Sequence, residues 1–228
     1  MGNEETGFRR QGSGDGSQKA EAGGRSLETE AKPFRFGVVL LAAGASVRMG
    51  SPKQLLEVGG QPLILRAVEA ALASAAWPVV VVLGAQAEKI RPWLARQPVL
   101  VTENPAWTEG MASSLRAGLE TLRTFSRTLD GALVAVTDQP AFSAAVVARL
   151  VAAKRETGRG IAAAHYAGRL GVPVLFGREH FSALAALTGE EGARHFLAAH
   201  AGDTAAVELP GLALDLDTPE DVVAWKIR

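Results

Sequence analysis

A chain of 228 residues, 47% apolar and 21% charged, is long enough for one globular domain with a tail. Its formal net charge of zero excludes nucleic-acid binding driven by bulk positive charge. It has no cysteine, which removes disulfides, thiolate metal sites and cysteine nucleophiles and makes a cytoplasmic protein the simplest expectation; no apolar run spans a bilayer, so no membrane partner is expected.

Residues 1–33 are rich in Gly, Ser, Glu, Gln and Arg, with Phe8 and Leu27 the large apolar side chains after Met1. Such a segment buries too little surface to offset its ordering entropy and is expected to be a disordered tail. It lacks the apolar middle of a signal peptide, and Glu4, Glu5, Asp15, Glu21, Glu28 and Glu30 are too many acids for a mitochondrial presequence. Met1-Gly2-Asn3-Glu4-Glu5-Thr6 fits a myristoylation pattern, but that pattern is short, and an extension without function is the better expectation.

Residues 34–228 read as alternating strands and helices. Phe36 to Leu41 is a continuous apolar run, as in a strand covered on both faces. Pro62 sits where a helix would begin, and Leu63, Leu65, Ala67, Val68, Ala71 and Leu72 follow at roughly helical spacing. Strands are expected at Val79–Leu83, Val99–Thr102 and Ala132–Val136, and helices at Glu88–Arg96, Ser113–Arg123 and Ser143–Arg155. Further strands are expected at Ile161–Ala164, Val174–Phe176, Val207 and Leu212–Leu216, with short helices near His180 and Arg194 and a last one from Pro219. The order predicts an α/β fold of three layers, Rossmann-like, around a mostly parallel, mixed sheet. Ligands in such sheets bind at the carboxyl ends of strands, where the loop after Leu41 and Asp138 would share one cleft.

That loop, Leu41-Ala42-Ala43-Gly44-Ala45-Ser46-Val47-Arg48-Met49-Gly50-Ser51-Pro52-Lys53, exposes backbone N–H groups among small side chains and carries two cations. Polyphosphate suits it. It is not a P-loop, because Gly44 and Gly50 are one residue too far apart and Ser51-Pro52 separates Gly50 from Lys53. The glycine spacing and Pro52 also exclude a Rossmann dinucleotide fingerprint. A tight turn accounts for the glycines but not for Arg48 and Lys53.

The loop resembles the opening motif of the MobA-like nucleotidyltransferases, in particular the molybdenum cofactor cytidylyltransferases. Three more stretches match in order: Asn104-Pro105-Ala106-Trp107-Thr108-Glu109-Gly110-Met111-Ala112-Ser113-Ser114-Leu115, Asp138-Gln139-Pro140, and Asp215-Leu216-Asp217-Thr218-Pro219-Glu220-Asp221. The resemblance implies attack of an acceptor phosphate on the α-phosphate of a nucleoside triphosphate. It implies Arg48, Lys53 and Asp138 as catalytic groups and Mg2+ held by Asp138 and Asp217, with Asp215 a weaker candidate. It places the nucleotide on Ala42, Ala43, Gly44, Ser46, Gly110, Ser113 and Ser114. Ala43 stands where guanylyl-transferring relatives carry Gly, which favours CTP over GTP. The implied acceptor is molybdopterin cofactor, approached by Gln139, His165 and Gly171-Val172-Pro173, and an apo molybdenum hydroxylase is a further partner. Trp107 is expected to pack rather than stack, and His180, His195 and His200 to lie on the surface or on helices. Helix capping is the alternative role of Asp217, Ser113 and Ser114. A cytidylyltransferase for another phosphorylated acceptor, a non-catalytic cofactor carrier, and an oxidoreductase stay open as alternatives, the last disfavoured by the missing dinucleotide fingerprint.

Overall fold

The computed structural model describes residues 33–46, 51–189, 193–216 and 218–226. The first strand, β1 (Phe36–Ala42), is buried at every residue, as its uninterrupted apolar run requires. After the loop come a one-turn helix at Lys53–Leu55, a small hairpin of β2 (Glu57–Val58) and β3 (Gln61–Pro62), and α1 (Leu63–Leu72). Then follow β4 (Val79–Leu83), α2 (Ala87–Leu94), β5 (Leu100–Glu103), α3 (Met111–Phe125), β6 (Gly131–Val136) and α4 (Ala144–Thr157). The chain continues through β7 (Ile161–Tyr166), β8 (Arg169–Gly177), α5 (Phe181–Ala185), α6 (Ala193–Ala199), β9 (Thr204–Glu208) and α7 (Pro219–Lys226). All these elements belong to one unit, Phe34–Arg228.

The seven-stranded sheet runs β5-β4-β1-β6-β8-β7-β9. β8 is antiparallel to both neighbours, and the other pairings are parallel, so the sheet is mixed and mostly parallel as expected. Alternate residues of each strand serve opposite layers. Val38, Leu40, Val79, Val81, Leu133 and Ala135 pack with Ile64, Val68, Ile90, Val147 and Leu150 of α1, α2 and α4. Val39, Leu41, Val80, Val82 and Val134 pack with Leu115, Leu119, Leu122, Phe181 and Phe196 of α3, α5 and α6. From β1 the chain moves outward to β4 and β5, then crosses back to β6 on β1's other side. The order reverses between β1 and β6, and a crevice opens at their carboxyl ends.

One expectation needs correction. Leu212–Leu216 is not a strand: Pro210–Ala213 forms a single tight helical turn and an irregular stretch follows. Leu212 packs under the sheet, while Leu216 packs with Val58 and Leu63, so the apolar spacing reflects two separate clusters. Pro62 stands where the helix was expected to begin: it is the N-cap of α1 as well as the last residue of β3. His180 lies in the one-turn helix Arg178–His180, within the expected helical stretch, and is buried, its Nε2 3.0 Å from Asp203 Oδ2.

Candidate active site

Four consecutive carbonyls, starting at Ala42, the last residue of β1, are tied back by the protein. Gln54 Nε2 donates to Ala42 O at 3.0 Å and Gly44 O at 3.2 Å, Ala85 N donates to Ala43 O at 3.1 Å, and Gln86 Nε2 donates to Ala45 O at 3.3 Å. In a trans peptide the C=O and the following N–H point in opposite directions, so fixing the carbonyls also fixes where the amides point. Ser46, with φ 52°, turns the chain; its hydroxyl accepts from Lys53 N at 3.0 Å and reaches Gln54 Oε1 at 3.4 Å. Gln54 is only 1% exposed, a polar side chain used wholly inside the protein.

Ala43, Gly44, Ala45, Lys53 and Gln54 line a chamber of about 340 Å3, closed on the other side by Trp107, Gly110, Met111, Ser114, Thr137 and Asp138. A Cβ at Gly44 would meet nothing within 4 Å, which leaves the approach to the backbone open. Gly110, at φ 102°, takes a backbone conformation that side chains disfavour, and from it α3 starts with its first turn on the chamber. Ala112 N and Ser113 N in that turn donate to Gly189 O and Gly110 O, and the aligned peptides of the helix leave partial positive charge at its start.

A second chamber of about 270 Å3 shares Met111, Val136 and Asp138 with the first. Gln139, Tyr166, Arg169, Gly171, Val172, Arg194, His195 and Asp215 line it. A register shift between Ala163 and Ala164 leaves Val172 and Pro173 of β8 out of the β7–β8 pairing. Gln139 Nε2 donates to Tyr166 Oη at 3.1 Å and Leu212 O at 3.3 Å, and Tyr166 Oη donates to Val172 O at 3.0 Å. Burial raises the Tyr166 hydroxyl above its ordinary pKa, so it remains a donor at neutral pH.

Asp138 lies between the chambers. Its Oδ2 takes the ammonium of Lys53, with the two side chains 15% and 19% exposed. Its Oδ1 is buried with no hydrogen-bond partner among the described residues. A carboxylate oxygen left in that state suits a hard divalent cation. Among the described residues no cluster of three His, Asp or Glu could hold a metal alone. The chemistry therefore fits an ion shared between Asp138 and substrate phosphates, which is how Mg2+ is commonly held.

Of the residues expected from sequence, Ala43, Gly44, Lys53, Gly110, Ser114 and Asp138 meet in the first chamber. Ala42 is 1% exposed and gives its carbonyl to Gln54, while Ser46 braces the loop. Ser113 and Ser114 divide. Asn104 Nδ2 donates to both, at 2.8 and 3.0 Å, but Ser113 Oγ also lies 2.8 Å from Gly110 O and 2.9 Å from Ala106 O. Ser113 is thus a local brace, whereas among the described residues no acceptor takes the Ser114 hydroxyl proton. His165 pairs with Glu208 instead of lining the second chamber, and Trp107 lines the first. Arg48 and Asp217 lie outside the described residues. Gln54, Gln86, Asn104, Tyr166 and Arg169 were not expected. Gln54 carried a signal, being the single uncharged polar residue among Leu55, Leu56 and the loop's cation.

Gln54→Leu should strip donors from two buried carbonyls, lowering stability by about 1–3 kcal/mol. It should also raise the nucleotide Kd by about tenfold, equivalent to ~1.4 kcal/mol. Thermal unfolding and nucleotide titration measure both, and an unchanged Kd would remove the loop from nucleotide binding.

The described helices include none long and apolar enough to cross a membrane. A model of the MobA-like NTP transferase domain matches residues 38–205. Nicotine blue oxidoreductase of Paenarthrobacter nicotinovorans is 37% identical over 168 residues, covering 70% of this chain and 79% of that protein. Purine catabolism protein PucB of Bacillus subtilis (strain 168) is 28% identical over 200 residues, covering 83% and 94%. The crystal structure of Rv0371c from Mycobacterium tuberculosis H37Rv aligns with TM-score 0.72 at 26% identity, over 85% of this chain and 98% of that one. Its complex with manganese aligns with TM-score 0.68 at 25% identity, over 83% and 97%. The matched segment contains both Lys53 and Asp138 and runs from β1 into β9, and the chain belongs to the MobA-like NTP transferase family.

Proposed function

We propose that this nucleotidyltransferase transfers CMP from CTP to a molybdopterin-type molybdenum cofactor, releasing pyrophosphate, with a divalent ion, Mg2+, at Asp138 and Asp217. The observation that carries the proposal is Asp138 between two chambers, one walled by a donor-rich loop and a helix start, the other by polar and basic side chains. An acceptor phosphate oxygen forms a bond to the α-phosphorus, and the bond from that phosphorus to the β-phosphate oxygen breaks. Such transfer asks the protein for positioning and charge neutralisation rather than covalent participation.

The amides of the loop and the first turn of α3 hold phosphate oxygens. Lys53, and Arg48 through its planar fork, oppose the charge that develops on the α-phosphate and departing pyrophosphate. Ser114 offers its proton to the nucleotide. Ala43 lines the chamber, and its methyl group packs against Gly84, where an added Cβ would come within 2.7 Å of it. The choice of CTP is supported by the resemblance, in which Ala43 stands where guanylyl-transferring relatives carry Gly. The divalent ion, when bound, supplies positive charge shared between Asp138 and the phosphates. Gln139 and Tyr166 orient the acceptor, and Arg169 and Arg194 add positive charge at its chamber. The product would serve an apo molybdenum hydroxylase.

The direct test incubates the purified protein with Mg2+, molybdopterin cofactor and either CTP or GTP. Pyrophosphate should appear with CTP, together with a cofactor product heavier by one CMP; release with GTP only would overturn the choice of base. The name of the 37% identical relative favours a second reading, an oxidoreductase. It predicts oxidation of a reduced nicotinamide dinucleotide by the same protein when an electron-accepting dye is added, and no pyrophosphate from either nucleotide.

A further inference from the structure

We infer that Lys53 is a resident stand-in for the divalent cation: before nucleotide binds, its ammonium holds the metal's place at Asp138, and the triphosphate draws it away. This rests on the reading of the site as a metal-dependent transfer centre. Three observations support it. The ammonium contacts Asp138 Oδ2 with both side chains largely buried, while Oδ1 is buried and has no hydrogen-bond partner among the described residues. The carboxylate is thus half satisfied, a state that a point charge produces and an oxygen-seeking divalent ion would relieve. No described cluster of three His, Asp or Glu offers such an ion enough ligands without phosphate. Lys53 also lies in the same chamber as the loop amides, so its ammonium has a short path from the carboxylate to a bound triphosphate.

The backbone links the two events. Lys53 N donates to Ser46 Oγ, and the adjacent Gln54 holds the Ala42 and Gly44 carbonyls. Phosphate settling on the loop therefore acts on the turn that carries Lys53. Electrostatics sets the direction. The ammonium offsets the charge of the Asp138 carboxylate it faces, and Lys53 repels a divalent ion from the seat. A triphosphate brings several negative charges and accommodates both cations at once. Metal and nucleotide then bind cooperatively, each strengthening the other by the same factor.

Mn2+ binding to the nucleotide-free protein, read as the loss of the free-ion signal in electron paramagnetic resonance, tests this without nucleotide or acceptor. Lys53→Met should bind Mn2+ at least tenfold more tightly than the wild type. Lys53→Arg, which keeps the charge, should bind as weakly as the wild type, and Lys53→Met with Asp138→Asn should lose the gain. Equal affinities of the wild type and Lys53→Met, tight or weak, would overturn the inference, as would an equal gain in Lys53→Arg. Circular dichroism monitors folding, and Lys53→Gln replaces Lys53→Met if the latter does not fold. The assay stands apart from the proposed reaction: equal affinities leave CMP transfer intact, and absence of CMP transfer leaves the affinities to be read.

Discussion

Asp138→Ala should lower the rate of nucleotidyl transfer by about 10²–10³-fold, the usual consequence of removing one preorganised charge from a transfer site. Nucleotide affinity should change far less, because the loop amides, Ser114 and the first turn of α3 form their part of the chamber independently of the carboxylate. Asp138→Asn should be nearly as damaging. It keeps the volume at the end of β6, yet it offers a neutral amide where the chemistry needs a negative oxygen facing the phosphates. The backbone has its own support there, since Leu216 N donates to Asp138 O at 2.9 Å, so the variants should stay folded. Initial rates of pyrophosphate release, measured beside a nucleotide titration, separate the two effects. A rate within fivefold of wild type, on the order of 1 kcal/mol of barrier, would move the chemistry away from this carboxylate.

Lys53 and Asp138 were both legible in the sequence, one as a cation on the small-residue loop and the other after an apolar run, but their meeting was not. They are 85 residues apart and come together because β6 pairs beside β1, a choice set by the packing of the whole sheet. The central strands were legible because burial on both faces leaves continuous apolar runs. The Leu212–Leu216 stretch imitated a strand for the opposite reason: its leucines are buried in separate places by a chain that is not extended. Ser113 and Ser114 were indistinguishable as letters. A helix turns about 100° per residue, so neighbouring side chains face different surroundings, one a set of carbonyls and the other a chamber. Gln54 and Gln86 escaped notice because they shape the loop from behind. Their partners are main-chain oxygens, which carry no mark in the sequence.

Gly118→Val should cost about 3 kcal/mol or more, the upper range for forcing extra atoms into a packed core. A glycine inside a helix forgoes about 1 kcal/mol of helix propensity against alanine, so its position in the middle of α3 needs a packing reason. The reason is the sheet beneath it. A Cβ at Gly118 would lie 2.4 Å from Val39 Cγ1 and 2.9 Å from Val82 Cγ2, on β1 and β4, the paired strands at the centre of the fold. Both valines are fully buried, so neither has room to withdraw. The helix would have to lift, carrying Gly110, Met111 and Ser114 away from the loop they face. Stability and nucleotide affinity should therefore fall together, and a loss of this size is a large share of the roughly 5–15 kcal/mol typical of a whole domain. Gly202→Ala is the matched control: a Cβ there meets nothing within 4 Å, and the change should stay within about 0.5 kcal/mol. Denaturant unfolding of both variants beside the wild type gives the comparison. Equal midpoints would mean that α3 shifts at little cost, and that its close seat on β1 and β4 is not what holds the chamber wall in place.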